Sequence, residues 1–347
     1  MQAVYFLGDR EIEIRDTPDP SPGANDVVLE IKASGMCGSD LKFYRTKGGP
    51  AALGLGGDGS PVVAGHEPCG VVVARGSSVG DAEAMEGQRV MNHHYHGCGV
   101  CPHCDTGWSQ MCDEGPVVFG VTGDGAHARY MKVPAATLVK LPDALSFKSG
   151  AAISCGTGTA FGALKRLELQ ATDTIAVFGQ GPVGLSATQL AASMGARVIA
   201  LDVDNSRLQR AREFGAHELV NAADDSVVEQ IMELTGGRGV ECGMDCSSSP
   251  QARSQALKVA AKWGRVAYVG EGGDVNVDVS NDMLRKQLTL LGSWTFNRNI
   301  QAECARFCAE RSIDVDALFT DEWRIDQAIE AYKKFDKQST GKGVIIP

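Results

Sequence analysis

The chain has 347 residues, too many for one ordinary hydrophobic core, so two domains are expected. Hydrophobic residues make up 43% and charged residues 22%, the balance of a globular protein in water. A formal net charge of -10 excludes non-specific nucleic-acid binding, which needs a basic face, and disfavours an anionic membrane surface.

The first ten residues hold no basic segment followed by a long apolar run, so no secretory leader is expected. No stretch approaches the ~20 apolar residues of a membrane span, and a cytoplasmic location is the expectation. The first ~150 residues, a usual domain size, read as β-rich. Short β-branched runs at 27–31, 70–74 and 128–133 are bounded by Gly and Pro. The stretch 48–60 is crowded with glycine and reads as a loop.

Near Thr172 the pattern changes. Residues 174–178 read as a short buried strand, followed by a glycine turn. A helix comes next, with apolar Val183, Ala187, Leu190, Ala191 and Met194 on one face. Residues 197–201 read as a strand, and 205–214 as a helix stopped by Gly215. Strand and helix signals alternate again through 218–220, 227–234, 240–245, 251–261 and 265–269. Repeated β-α-β of this spacing predicts a parallel, doubly wound sheet, hence an α/β fold. From about Trp294 a polar helix leads to a closing strand at 343–347. There is no internal repeat.

Gly179, Gly181 and Gly184 form a GxGxxG motif between a predicted strand and a predicted helix, the context in which it binds a dinucleotide. Gly179 permits the tight turn, Gly181 the close approach of a pyrophosphate, and Gly184 close packing of helix on strand. The helix start at Pro182 and Val183 supplies N–H groups for the phosphates. Asp202 ends the next strand, where a carboxylate accepts hydrogen bonds from both ribose hydroxyls and repels a 2′-phosphate. NAD is therefore preferred to NADP, although Arg207 nearby could pair with a phosphate. The alternative is a purely structural glycine turn with a capping Asp.

Eleven cysteines are present, and Cys98, Cys101, Cys104 and Cys112 crowd together. Four thiolates at this spacing can close a tetrahedral shell around a structural zinc ion. An iron–sulfur cluster uses the same ligand count, while disulfides do not suit a reducing compartment. His93, His94, Tyr95 and His96 precede this lobe without metal-ligand spacing, and read as pocket or loop residues. Cys37, His66 and Cys155 lie far apart, and each alone reads as a small buried hydrophobe or a core histidine.

Taken together, the run Cys37-Gly-Ser39-Asp40, the Gly65-His66-Glu67 triplet with its downstream glycine, residues 87–90 (GQRV), the four-cysteine lobe and the glycine turn resemble the zinc-containing medium-chain alcohol dehydrogenase family. That family includes sorbitol and threonine dehydrogenases. The resemblance spans essentially the whole chain. It implies a GroES-like β-rich catalytic domain from 1–152 and 294–347, with the zinc lobe near 93–113. A Rossmann NAD-binding domain at 153–293 would be inserted, with the active site in the cleft between them.

By the same resemblance Cys37, His66 and Cys155 match the ligands of a catalytic zinc, a Cys2His set for which alcohol dehydrogenase is the standard example. Two zinc ions per chain are implied. Glu67 matches a carboxylate beside the metal that can exchange onto it, and Asp40 a residue that orients the ligating histidine. The metal's open position would lower the pKa of an alcohol, Ser39 matches the residue that takes its proton, and hydride would pass to NAD. His94 and Trp294 fall where relatives line the substrate pocket. One departure stands out: Lys42 occupies the position of the histidine that ends the family's proton relay.

The implied function is oxidation of a primary or secondary alcohol or polyol by a homodimer or homotetramer. The competing readings are a zinc-free quinone or enone reductase, which would lack these ligands, and a zinc- and nucleotide-binding protein without dehydrogenase activity.

Overall fold

The computed structural model describes residues 1–49, 52, 61–337 and 341–347. The loop expected at 48–60 lies, apart from Gly48, Gly49 and Ala52, outside the described residues. The chain divides into two compact units, Met1–Gly158 with Phe296–Pro347, and Thr159–Thr295. The junctions expected from the sequence were 152/153 and 293/294.

The first unit is built on a seven-stranded sheet. Its order is Phe319–Arg324, Lys342–Ile346, Asp26–Gly35, Glu67–Arg75, Arg89–Asn92 and Leu138–Lys140, and Tyr130–Pro134 also pairs with Asp26–Gly35. Only the first two strands run parallel; the remaining pairs are antiparallel. The runs expected at 27–31 and 70–74 are the centres of longer strands, and 128–133 is shifted to Tyr130–Pro134. Within the β-branched stretch 71–73, Val72 faces a core containing Val27, Leu29, Ile31, Val90 and Met131, while Val73 points outward and is exposed. A second core gathers Phe6, Met36, Phe43, Tyr44, Tyr332 and Phe335 from both ends of the chain. It is this core that ties the C-terminal helix Ala328–Phe335 to the segment after Asp26–Gly35.

The second unit is a six-stranded, wholly parallel sheet. Numbered along the chain from Thr174–Phe178 to Thr289–Gly292, its strands run 3-2-1-4-5-6. This is the doubly wound order, in which ligands bind where the winding reverses, between the first and fourth strands. Apolar residues on both faces are buried, Ala176, Phe178, Ile199 and Leu201 on one and Ile175, Val177, Val198 and Ala200 on the other, as a sheet covered on two sides requires. The helix expected at 251–261 is Pro250–Val259, and Ala260 already opens the strand Ala260–Tyr268. Among the described residues no helix is long and apolar enough to cross a membrane.

Candidate active site

Three segments of the first unit converge on one buried cluster. Cys37 follows the strand Asp26–Gly35, His66 and Glu67 open the strand Glu67–Arg75, and Cys155 follows the helix Phe147–Ile153. Ligand atoms of these four residues all lie within 4.8 Å of one another. The two sulfurs are 3.9 Å apart. Two thiolates on a tetrahedral zinc with bonds of ~2.3 Å stand about 3.8 Å apart, so the donor set fits that ion. The hydrogen bond from the Cys155 thiol, joined by His66 and Lys342, pulls the Cys37 thiol well below its ordinary range. Cys155, half-buried, is pushed up by its contact with Cys37 and by burial. A cation bound between the two sulfurs would favour both thiolates and release the remaining proton.

Asp40, 1% exposed, accepts from the Cys37 backbone N–H at 2.8 Å and lies 2.9 Å from His66 Nδ1. A carboxylate 2.9 Å from Nδ1 favours the tautomer protonated there, which leaves His66 Nε2 the lone pair that a metal needs. Ser39 Oγ sits 3.3 Å from that Nε2. Glu67 faces Lys342, whose Nζ is 2.7 Å from Oε1 and 2.6 Å from Oε2 and also donates to the Met36 carbonyl. Burial raises the Glu67 carboxyl to about 7 against the opposing pull of Lys342. The sequence reading missed Lys342; its one signal is a charged residue entering an otherwise apolar closing strand.

His94 is buried, with Nδ1 2.9 Å from the Ser154 carbonyl oxygen and its ring 5.4 Å from that of His66. Burial and then the neighbouring His66 push its pKa well down, so it is neutral at pH 7. His93 is buried too, and His96 ends the short strand Tyr95–His96. Trp294, the other expected pocket residue, belongs to the second unit and is 46% exposed. Lys42 is exposed on the short helix Asp40–Arg45.

The four-cysteine lobe closes on itself. Ligand atoms of Cys98, Cys101, Cys104 and Cys112 lie within 4.8 Å of one another. The Cys98 N–H donates to Cys112 Sγ at 3.2 Å, Cys101 N–H to Cys98 Sγ at 3.3 Å, and Cys104 N–H to Cys101 Sγ at 3.5 Å. Amides aimed at sulfur stabilise thiolates, the form in which cysteine binds metal. All eleven cysteines are free.

In the second unit Gly179 ends the strand Thr174–Phe178 with φ +89°, and a Cβ there would press on Ser247. A Cβ at Gly184 would overlap the Gly179 carbonyl oxygen, whereas at Gly181 it would meet nothing within 4 Å. The helix Pro182–Ser193 starts with Gly181 as its cap, without a capping side chain. Its first N–H groups fit a phosphate. Asp202 is 5% exposed; its Oδ2 accepts the Gln180 N–H at 2.6 Å and its Oδ1 the Asp204 N–H at 3.0 Å. Arg207 approaches Asp202 at 3.9 Å. The cap of the next helix is Asp204, not Asp202.

Two family models match this chain: the alcohol dehydrogenase GroES-like domain over residues 23–143 and the zinc-binding dehydrogenase over residues 182–310. The zinc-type alcohol dehydrogenase-like protein YphC of Escherichia coli (strain K12) is 37% identical over 349 residues, covering 99% of this chain and 98% of that protein. The chain belongs to the zinc-containing medium-chain alcohol dehydrogenase family. Sorbitol dehydrogenase of Bacillus subtilis (strain 168) is 30% identical over 336 residues, 96% of this chain and 93% of that enzyme. Among solved structures, a zinc-binding dehydrogenase from Sinorhizobium meliloti 1021 bound to NADP has a TM-score of 0.89 at 27% identity, covering 100% of this chain and 99% of that one. This family member is thus an oxidoreductase with the family's two-part α/β fold.

Proposed function

We propose that the chain oxidises a secondary alcohol or polyol to the carbonyl compound, with NAD as hydride acceptor and zinc held by Cys37, His66 and Cys155. The observation that carries this reading is the convergence of those donors, from three distant segments, within 4.8 Å in a buried cluster. Zinc there would act as a Lewis acid, lowering the pKa of the substrate hydroxyl. Asp40 sets the His66 tautomer, and the Ser39 hydroxyl beside His66 would accept the substrate's proton while passing its own on toward solvent. Lys342 pairs with the Glu67 carboxylate, which lies beside the donors, and balances its charge. His94, buried and neutral, presents a polar face to the substrate. The second zinc belongs to Cys98, Cys101, Cys104 and Cys112, where a full thiolate shell leaves no open position.

Gly181 and the uncapped helix start receive the pyrophosphate, and Asp202 selects NAD. The competing cofactor is NADP, favoured by Arg207 beside Asp202 and by the NADP in the Sinorhizobium meliloti relative. The name of the Bacillus subtilis relative supports a polyol substrate. The test is reduction of NAD and NADP, followed by absorbance across primary alcohols, secondary alcohols and polyols, with and without a zinc chelator. Chelator-sensitive turnover of secondary alcohols or polyols with NAD is the expected outcome; turnover indifferent to complete metal removal refutes the proposal.

A further inference from the structure

A line of buried polar side chains leads away from the metal cluster, and the reaction above uses none of them beyond Asp40. Asp40 Oδ2 accepts a hydrogen bond from the Tyr332 hydroxyl at 2.9 Å. That hydroxyl lies 2.7 Å from His127 Nε2, and His127 Nδ1 lies 2.7 Å from Ser34 Oγ. Tyr332, His127 and Ser34 are fully buried.

Chemistry sets the direction of the whole line. A carboxylate only accepts, so the Tyr332 hydroxyl spends its single proton on Asp40. It must then accept from His127 Nε2–H. That leaves Nδ1 of the neutral ring as an acceptor, and the Ser34 hydroxyl donates to it. Burial keeps both middle groups in these forms, lowering His127 to about 4 and raising Tyr332 well above its ordinary range. Every donor therefore points toward Asp40.

Asp40 in turn meets two of the candidate ligands at once: it accepts from the Cys37 backbone and lies 2.9 Å from the His66 ring nitrogen. Two further observations bear on how the line meets the cluster. The Tyr332 ring packs among Phe6 at 4.9 Å, Tyr44 at 5.8 Å and Phe335 at 6.3 Å, a setting that would take phenylalanine equally well. The hydroxyl is needed only for the line. Gly65, immediately before His66, has φ +92°, and a Cβ there would overlap the His127 imidazole. His127 thus supports the ligand strand by contact as well as through Tyr332.

We propose that Tyr332 and His127 are positioning residues that set the Asp40 carboxylate, so that Cys37 and His66 present their donors together and retain the metal. This rests on the zinc reading above. The experiment measures zinc release from the intact protein to a chelating dye, with the Cys37→Ser variant identifying the phase that belongs to this site. In wild type two phases are expected, one from each cysteine-containing site. Tyr332→Phe should speed the Cys37-site phase by up to about 10-fold, less than the ~10–100-fold loss usual for a ligand's own outer partner, here Asp40. The four-cysteine phase should stay unchanged. The Cys37-site band of the cobalt-substituted protein should shift in the same variant. His127→Gln, which keeps a donor toward Tyr332, should release zinc more slowly than His127→Leu, and this comparison decides the matter if Tyr332→Phe fails to fold. Unchanged release from a folded Tyr332→Phe, equal acceleration of both phases, or identical behaviour of His127→Gln and His127→Leu would overturn the proposal. A wild-type protein that releases zinc only from the four-cysteine site overturns the zinc reading itself, and the proposal with it.

Discussion

Asp202 does two things, and two substitutions separate them. Its carboxylate accepts the Gln180 N–H at 2.6 Å and the Asp204 N–H at 3.0 Å, so it braces the glycine turn from behind. Its charge also stands where a 2′-phosphate would come. Asp202→Asn keeps one oxygen to accept from the fully buried Gln180 and removes the charge. Asp202→Gly removes both. Hydrogen bonds to a charged acceptor contribute about 1.5–3 kcal/mol, and an orphaned buried N–H costs about 1–3 kcal/mol. Asp202→Gly should therefore lose roughly 2–3 kcal/mol, a fall of about 5–10 °C in melting temperature for a unit of this size. Asp202→Asn should lose about 1 kcal/mol at most, since its acceptor survives. Both should lower the preference for NAD over NADP about tenfold, equivalent to ~1.4 kcal/mol. Calorimetry and fluorescence titration with each cofactor provide the two readouts. An unchanged cofactor ratio in both variants would refute the role of the charge, and equal melting temperatures would refute the bracing role.

Lys342→Met strands Glu67, which is 0% exposed, without its partner; breaking a buried pair in this way costs about 3–5 kcal/mol. Thermal unfolding should show that loss, and adding Glu67→Gln should recover most of it. Gly184→Ala drives a methyl group into the Gly179 carbonyl, backbone against backbone. We expect about 1–3 kcal/mol of destabilisation and a weaker dissociation constant for NAD by fluorescence titration, with zinc content unchanged. Cys112→Ser should remove one zinc per chain by elemental analysis and make the segment around 98–112 sensitive to protease, while NAD still binds.

Much of the second unit was legible because its signals are local. A strand, three glycines at fixed spacing and a helix occupy adjacent residues, and each glycine has its own steric reason. The acidic residue ending the next strand follows from the same unit. The four-cysteine lobe was legible for the same reason, since its ligands lie within one short loop. The edges of elements were less so: the helix expected to reach residue 261 stops at Val259, because Ala260 pairs with Val240 in the neighbouring strand. That choice is made by the sheet, not by local propensity.

The buried cluster lies at the other extreme. Cys37, His66 and Cys155 are each unremarkable in their own segments, and only a whole-chain resemblance linked them. Tyr332 and His127 gave no signal at all, and Lys342 only that of a charge entering an apolar closing strand. A tyrosine on the apolar face of a C-terminal helix reads as core, and it is core; its hydroxyl acquires a role only because the fold brings residue 332 to residue 40. Lys342 reads as a solvated lysine near the chain end, yet it is buried against Glu67. Partners separated by hundreds of residues leave no periodicity to read.

The most direct test of the central claim is a paired measurement on wild type and Cys37→Ser: zinc per chain, and NAD reduction with secondary alcohols and polyols. About two zinc ions and measurable turnover are expected in wild type, with about one zinc, no turnover and intact NAD binding in the variant. Undiminished turnover in Cys37→Ser would contradict the claim, because no chemistry assigned here to the cluster survives the loss of that thiolate.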